Sequence, residues 1–429
     1  MKKFTFLLLL FSYFLSYAQI PGKRPTEYGF DIDYRPPVYY DFYLSYANEN
    51  RQSELIFTLN IQNDLFQFTK VEDTYEAVYH ITLTIKKSGT ESAVFSRVWK
   101  ESVWEKEFEK TNSRKIYQNH QKRFTIDLAP GSYQVFLEVS DAGTQKGFRN
   151  SRPLVIPEFE PGGVKHTSVK LLNPETGRSD EVIAGSRDPM VDFNRDIKAY
   201  FELQTGARDS LIITSKLVHL KEDASRILRQ RIYRYLPTEP VLSFREEIEK
   251  KYLPEGIFVL RYRIRYGERI LEIEKKFEVV WFEKPVYLYR YDLALRPMQY
   301  ILSVDELSEA EGLSYDDLGV WFTNYWRAKD PDPDTPFNEI LFTFFQRVDE
   351  VNRKYGQRFR EGWETDRGKS FLLYGEPDRQ EINRTSVHVK PYEVWYYNTL
   401  KQKLTFIDEY DDDDYKLVQI EDIKDSGNE

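Results

Sequence analysis

The chain has 429 residues, with 61 lysines and arginines against 70 aspartates and glutamates, for a formal net charge of −9. That balance argues against nucleic acid, whose phosphates select basic surfaces, and against docking on anionic lipid. No cysteine is present, which excludes disulfides, thiol catalysis and cysteine-based zinc sites and leaves stability to packing.

Residues 1–18 read as a secretory signal. Lys2 and Lys3 supply the positive start, Phe4 to Phe14 the apolar core, and Ser16 and Ala18 the small residues that place cleavage before Gln19. The apolar run is shorter than the roughly 20 residues a membrane-spanning helix takes. No Cys follows the cleavage site, so no lipid anchor is expected. Losing Lys2 and Lys3 takes the net charge from −9 to −11. The expectation is an exported protein without a transmembrane span, periplasmic or associated with the outer membrane.

Residues 19–40 carry several Pro and Tyr and read as an extended lead-in. Strand alternation follows. Leu55, Phe57, Leu59 and Ile61 alternate with polar residues, as do Tyr79, Ile81, Leu83 and Ile85. Phe124, Ile126 and Leu128 lead into Pro130-Gly131, and Tyr133, Val135, Leu137 and Val139 return. A period of two places these side chains on one face of a half-buried sheet. Most of the aromatic residues, 31 Tyr and 29 Phe among them, fall on such positions and read as core. Trp99 to Lys110 fits either a hairpin or a short helix.

Pro157, Pro161, Gly162 and Gly163 mark a boundary. Beyond it Ile197, Ala199, Phe201 and Leu203 alternate again. Phe258, Leu260, Tyr262, Ile264 and Tyr266 do so against Arg261, Arg263 and Arg265, and Ile270 to Trp281 returns after Gly267-Glu268. Short strands separated by turn signals favour β-sandwiches.

After Pro285 the pattern becomes helical. Ser303-x-x-Glu306 and Ser314-x-x-Asp317 have the form of N-terminal caps. Leu318, Trp321, Phe322, Tyr325 and Trp326 follow helical spacing until the Asp-Pro pairs of residues 330–334 break it. Thr335-Pro336 is read as the start of the next helix. Its apolar stripe runs Phe337, Leu341, Phe344, Phe345, Val348, Val351, Tyr355, and Gly356 ends it. Four strands are expected after that, Ser370–Tyr374, Tyr392–Tyr397, Lys403–Asp408 and Tyr415–Ile420.

Gly362-Trp363-Glu364-Thr365-Asp366-Arg367-Gly368, followed by Tyr374-Gly375-Glu376-Pro377-Asp378, is a constructed corner. Together with Trp326 to Pro336, Asn338, Arg347, Glu393-Val394-Trp395-Tyr396-Tyr397 and Leu404-Thr405-Phe406, it resembles the GWxTD domain over most of residues 286–420. The resemblance implies an envelope protein of Bacteroidota-type Gram-negative bacteria. It implies architecture and address but no reaction, since no activity is established for the family.

The fold class expected is mostly β with a C-terminal α+β domain. Residues 19–158 and 164–284 form two tandem immunoglobulin-like β-sandwiches, residues 286–420 a helix-plus-small-antiparallel-sheet GWxTD domain, and residues 421–429 a polar tail. The motif candidates for binding are Gly362, Trp363, Thr365, Asp366, Arg367, Gly368, Gly375, Pro377, Asp378 and Trp395.

Glu364, Asp366, Glu376 and Asp378, read as flanking one strand, offer carboxylates for glycoside chemistry or Ca²⁺. Against that stands a structural reading, in which Asp366 caps backbone or pairs with Arg367 and Asp378 closes a turn, with Trp363 as a core plug. Gly368-Lys369-Ser370 fails as a phosphate loop, because Trp363 occupies the place of the earlier glycine and the segment reads as entering a strand. His80, His120, His166, His219 and His388 are scattered, with no pair at metal-binding spacing. Asp411 to Asp414 reads as a solvated loop with a weak calcium site as the alternative. No catalytic set, cofactor or metal is expected. The preferred function is a non-catalytic adaptor with an envelope protein partner, favoured by a basic patch on that partner. The alternatives are a glycan- or peptide-acting hydrolase at the GWETD corner and a carbohydrate-binding module.

Overall fold

The computed structural model describes residues 37–423 apart from 48–51, 114–115, 127, 145, 157, 159–163, 175–181, 185–187, 205–209, 222–223, 358 and 385–388. The signal segment, His388 and the boundary residues Pro157, Pro161, Gly162 and Gly163 lie outside the described residues, as do residues 424–429 of the tail. The chain divides at Phe282/Glu283 into a β unit and a C-terminal unit.

In the β unit the first strands are β1 Val38–Ala47, β2 Gln52–Gln62, β3 Thr69–Val71, β4 Thr74–Lys87, β5 Ala93–Glu105, β6 Tyr117–Ile126, β7 Gly131–Asp141 and β8 Gly147–Ile156. Strands β1-β2-β6 make sheet A. Sheet B has β4 paired with β3, β5 and β7, and β7 with β8. Their alternating apolar residues meet in one core, where Phe57, Leu59 and Ile61 of sheet A join Ile81, Leu83, Val135 and Leu137 of sheet B. The undecided Trp99–Lys110 segment is mostly β5, followed by a single helical turn, α1 Phe108–Thr111. The lead-in read as 19–40 ends earlier than expected, since β1 already begins at Val38 and pairs along its whole length with β2.

The next strands are β9 Lys165–His166, β10 Lys170–Leu172, β11 Met190–Asp192, β12 Ile197–Gln204, β13 Leu211–Leu220, β14 Ser225–Tyr235, β15 Val241–Ile248, β16 Gly256–Tyr266 and β17 Arg269–Val280. Sheet C is β10-β12-β15 with β9 on β12, and sheet D runs β11-β17-β16-β13-β14. Phe201 and Phe244 of sheet C pack against Tyr262 of sheet D.

An ionised network lies inside this pair of sheets. The Glu246 carboxylate on β15 is fully buried and accepts from Arg229 Nη1 (2.7 Å), Ser215 Oγ (2.7 Å), Tyr262 OH (2.9 Å) and Tyr233 OH (3.1 Å). Arg229 also donates to the Glu247 carbonyl at 2.7 Å. Arg229 faces inward by the regular alternation of β14, opposite the buried Leu217 and in phase with Tyr233, and a register shift follows it between Leu217 and Val218 of β13. The two sheet pairs also touch each other. Tyr43 of β1 packs with Val182 and donates to the Ile183 carbonyl (3.1 Å), and Lys275 of β17 pairs with Asp41 at 2.9 Å.

The C-terminal unit contains α2 Tyr291–Met298, α3 Val304–Glu311, α4 Tyr315–Arg327, α5 Glu339–Tyr355 and α6 Asp366–Tyr374, then β18 Arg379–Asn383, β19 Tyr392–Tyr397, β20 Gln402–Asp408 and β21 Tyr415–Asp422 in sheet order. Ser303 forms a full capping box with Glu306, and Ser314 accepts from the Asp317 N–H. Helix α5 starts at Glu339, three residues past the expected Pro336. Asn338 is its N-cap, while Thr335 closes a turn onto the Asp332 carbonyl. Ser370–Tyr374 is no strand but the end of α6, and the fourth strand of the small sheet is β18. The apolar stripe of α5 is buried at Phe344, Phe345, Val348 and Val351 against Trp326, Trp363 and Phe371. No helix among the described residues is long and apolar enough to cross a membrane.

Candidate functional site

The GWETD corner is a single tight turn, Gly362–Glu364, that feeds straight into α6. Thr365 is the N-cap. Its hydroxyl accepts from the Gly368 N–H (3.0 Å) and donates to the Gly362 carbonyl (2.7 Å). Both glycines are required by close backbone approach. A Cβ on Gly362 would sit 2.0 Å from the Val351 carbonyl oxygen, and one on Gly368 would sit 1.8 Å from that of Gly362. The turn is therefore pressed against α5 on one side and α6 on the other. Gly368-Lys369-Ser370 lies in the first turns of that helix, so the strand offered as a second objection to a phosphate loop is absent, while the first stands because Trp363 holds the place of the earlier glycine.

Trp363 is 1% exposed. Its Nε1 donates to Tyr287 OH at 2.9 Å, its backbone N–H to Asn352 Oδ1 at 3.3 Å, and Asn352 Nδ2 donates to the same phenol at 3.1 Å. Burial, then the Glu361 carboxylate, pushes the Tyr287 phenol well above its ordinary pKa, so it stays protonated and serves as a polar anchor. The Arg296 guanidinium lies 5.3 Å from the indole, and Tyr300 meets it edge-on.

The carboxylates do not flank one strand. Asp366 opens α6, and Glu376 and Asp378 lie just past its end. Asp366 Oδ2 accepts from the Leu417 N–H on β21 at 2.9 Å, a bond to the far side of the small sheet and not to Arg367. Asp378 Oδ2 accepts from the Asn398 N–H at 2.7 Å, and its own N–H reaches the Tyr396 carbonyl, so it ties the turn to the end of β19. Pro377 is buried beside it. Gly375 holds a left-handed φ of 82°, and its carbonyl accepts from Tyr397 OH at 3.0 Å. Glu376 is exposed, with Lys354 at 3.7 Å.

Arg367 is the most heavily engaged residue of the signature. Its side chain is 5% exposed and bonds Glu393 Oε1 (3.0 Å), the Asp413 carbonyl (2.8 Å) and Asp413 Oδ1 (3.0 Å). It packs 4.1 Å over the Tyr415 ring and 5.1 Å from that of Tyr355. Glu393 is held from the other side by Trp395 Nε1 at 3.1 Å, and Trp395 is fully buried against Phe406 and Tyr355. The partners of Arg367 lie 26 and 46 residues away in sequence, and no local pattern announces them.

The run Asp411–Asp414 is organised by a residue the sequence reading passed over. Asp408 is 2% exposed and accepts from the N–H groups of Asp413 (2.8 Å), Tyr410 (3.2 Å) and Asp412 (3.2 Å). Asp413 turns to Arg367, and Asp414 pairs with Arg360 and Lys416. Among the described residues, no group of three or more His, Asp and Glu side chains is placed to hold a metal. The described histidines stand apart, with His120 against Tyr79 OH and His219 stacked on Phe258.

Burial raises the pKa of Asp408, and the converging backbone N–H donors outweigh it, so the net shift is downward. A lowered folded value makes the stabilisation complete above the unfolded value of about 3.9, and it is lost as pH falls through the folded value. Asp408→Asn is therefore expected to flatten the loss of stability below about pH 4. Urea midpoints of the C-terminal unit across pH measure it, and an unchanged acid slope would remove Asp408 as the organiser of this loop.

Beside the Trp363 turn an open cleft of about 490 Å³ is lined by Asp292, Leu295, Arg296, Leu307, Tyr315 and Glu364. Of the carboxylates lining it, Glu364 pairs with Arg296 at 3.2 Å and Asp292 with Arg290, and Glu311 takes part in no ion pair among the described residues. Trp363, Asp366, Arg367 and Trp395 are thus brought together as one brace between α5, α6 and the small sheet, with Gly375, Pro377 and Asp378 at its far end.

The GWxTD domain family model matches residues 274–426, from within β17 to past the end of β21. The chain carries a GWxTD domain. No curated protein matches the chain. Among solved structures it is similar to red sea bream transglutaminase at 7% identity and a TM-score of 0.18, covering 59% of this chain and 33% of that one. It is also similar to trypsin-activated alpha-2-macroglobulin from Escherichia coli, at 9% identity and a TM-score of 0.18, over 58% of this chain and 17% of that one. A glycosyl hydrolase family 2 member from Bacteroides cellulosilyticus is similar at 8% identity and a TM-score of 0.20, over 52% of this chain and 28% of that one. This chain spans a third or less of the length of each, and likeness at that level carries no activity across.

Proposed function

We propose that this GWxTD protein is an exported, non-catalytic adaptor of the cell envelope that works through contacts with another protein. The observation that carries the reading is the internal commitment of the signature. Trp363 Nε1, the Thr365 hydroxyl, Asp366 Oδ2 and both terminal nitrogens of Arg367 are bonded to the protein's own backbone and side chains, and Arg367 Nε is buried without a partner. A general acid or nucleophile must reach substrate with a free oxygen and a matched pKa. Here Asp366 and Glu393 serve as acceptors for the fold. The signature is then a brace, and binding belongs to surfaces it holds in place. Export rests on the Lys2-Lys3 start and the Ser16-Tyr17-Ala18 site.

Crosslinking in intact cells followed by mass spectrometry tests the reading, with a recurrent envelope protein as the expected result. Asp366→Asn supplies the opposing test. Envelope glycans and peptides incubated with wild type and variant are expected to remain uncleaved by both. Turnover by wild type that vanishes in a folded Asp366→Asn variant would replace the adaptor with a hydrolase.

A further inference from the structure

We infer that the outward face and open edge of sheet D dock an acidic polypeptide segment, an inference that rests on the interaction reading above. The registers of β16, β13 and β14 place Arg265, Ile212 and Arg234 in one row across the sheet, Arg263, Thr214 and Ile232 in the next, and Arg261, Lys216 and Gln230 in the third. These positions alternate with the inward residues Ile213, Ser215, Tyr262 and Ile264, which are buried, so all three rows face away from sheet C. None of the nine positions is acidic.

The carboxylates facing outward here stand on β17. Glu274 pairs with Arg261 at 2.6 Å and Glu272 with Arg263 at 3.8 Å. Their reach ends there. Arg265 stands opposite Ile270, and Arg265, Lys216 and Arg234 take part in no ion pair among the described residues. In a chain of net charge −9, positive charge is concentrated on the side of the sheet that ends in β14. Cations on an edge strand guard against unwanted strand pairing, which accounts for Arg226, Arg231 and Arg234 on β14. It does not account for Arg265 and Lys216, which lie on interior strands without an ion pair among the described residues.

Three features select a polypeptide. Strand β14 ends the sheet order, so its outer row of N–H and C=O groups is open to another strand among the described residues. Ile232 and Ile270 are 50% and 52% exposed between the arginines, offering apolar contact. The rings of this sheet lie on its inward face: Phe258, Tyr262 and Phe277 are buried, Tyr233 and Tyr235 pack on Phe244 of sheet C, and Tyr266 stands opposite buried Leu211, so the outward rows offer no ring for stacking sugars or bases among the described residues. Cross-strand pairs of opposite charge then set the occupant's chemistry as acidic residues alternating with β-branched ones. The acidity of the whole chain points to a basic partner, whereas this face points to the opposite charge.

The full chain is titrated with a short labelled peptide alternating glutamate and valine, with a lysine–valine peptide and phosphatidylglycerol vesicles alongside. Binding of the acidic peptide, weakened by salt, is expected. Paired Arg234→Glu and Arg265→Glu exchanges should weaken it about tenfold or more with the thermal midpoint unchanged. Arg234→Gln with Arg265→Gln, which keeps a neutral surface, should fall between. Amide exchange should slow within residues 225–235, the span of β14. Absent binding, equal binding by wild type and reversed variants, or protection elsewhere would overturn the proposal. Vesicle binding without peptide binding would reassign the face to a membrane, and self-association lost on reversal would reassign it to a second copy. In-cell crosslinks mapping to other surfaces would leave the adaptor reading standing while this one failed.

Discussion

Trp363→Ala is expected to destabilise the C-terminal unit by about 3–5 kcal/mol, the range for deleting a buried aromatic ring. The ring is 1% exposed in a core with Tyr287, Phe344, Phe345 and Phe371. Its loss also leaves the Tyr287 phenol without the Nε1 donor at 2.9 Å, inside a region from which water is excluded. Calorimetry of the full chain, with amide exchange to identify which unit melts, gives the number. A midpoint within experimental error of wild type would show that the indole does not support the fold and would promote it to a ligand contact.

Arg229→Ala is expected to cost the β unit a comparable amount, about 3–5 kcal/mol. Arg229 and Glu246 have side chains 4% and 0% exposed, so removing the guanidinium strands a carboxylate that three hydroxyls still solvate but nothing neutralises. The companion Arg229→Met with Glu246→Leu is expected to recover most of the loss, because well-packed apolar replacement of a buried pair is often close to neutral. Urea unfolding of the two variants separates a missing charge partner from missing volume. If the double variant is as unstable as the single one, the network acts through packing and not through charge.

Much of this architecture could be read from alternation alone. Leu55 to Ile61, Tyr79 to Ile85 and Ile197 to Leu203 fall on β2, β4 and β12, because a half-buried sheet writes its period directly into the chain. The reading failed where a short apolar run had no period to show. Phe371-Leu372-Leu373-Tyr374 is too brief to distinguish strand from helix, and the deciding signal was Thr365 with its Gly368 donor, a cap hidden inside a motif read for chemistry. The start of α5 failed because two capping residues, Thr335 and Asn338, stand three apart and the nearer proline favoured the wrong one. For the candidate site, Trp363 could be read as a core plug from its setting, and its structure is that of one. The Arg367–Glu393–Asp413 and Arg229–Glu246 links could not be read, because each joins residues that only tertiary packing brings together.

The bond from the Leu417 N–H to Asp366 spans 51 residues, and the Arg367 contact with Asp413 spans 46. A chain that emerges N-terminus first therefore presents its signature long before the hairpin that completes it. Closing such loops costs entropy before any contact repays it, so the domain locks late, from its far end. Until Tyr415 has arrived, Arg367 lacks the ring 4.1 Å beneath it and the carbonyl that fixes its second nitrogen. A truncation before Asp408 would remove β21 and the aspartate loop together, leaving a GWETD sequence with its corner unmade and a thread that proteases can cut.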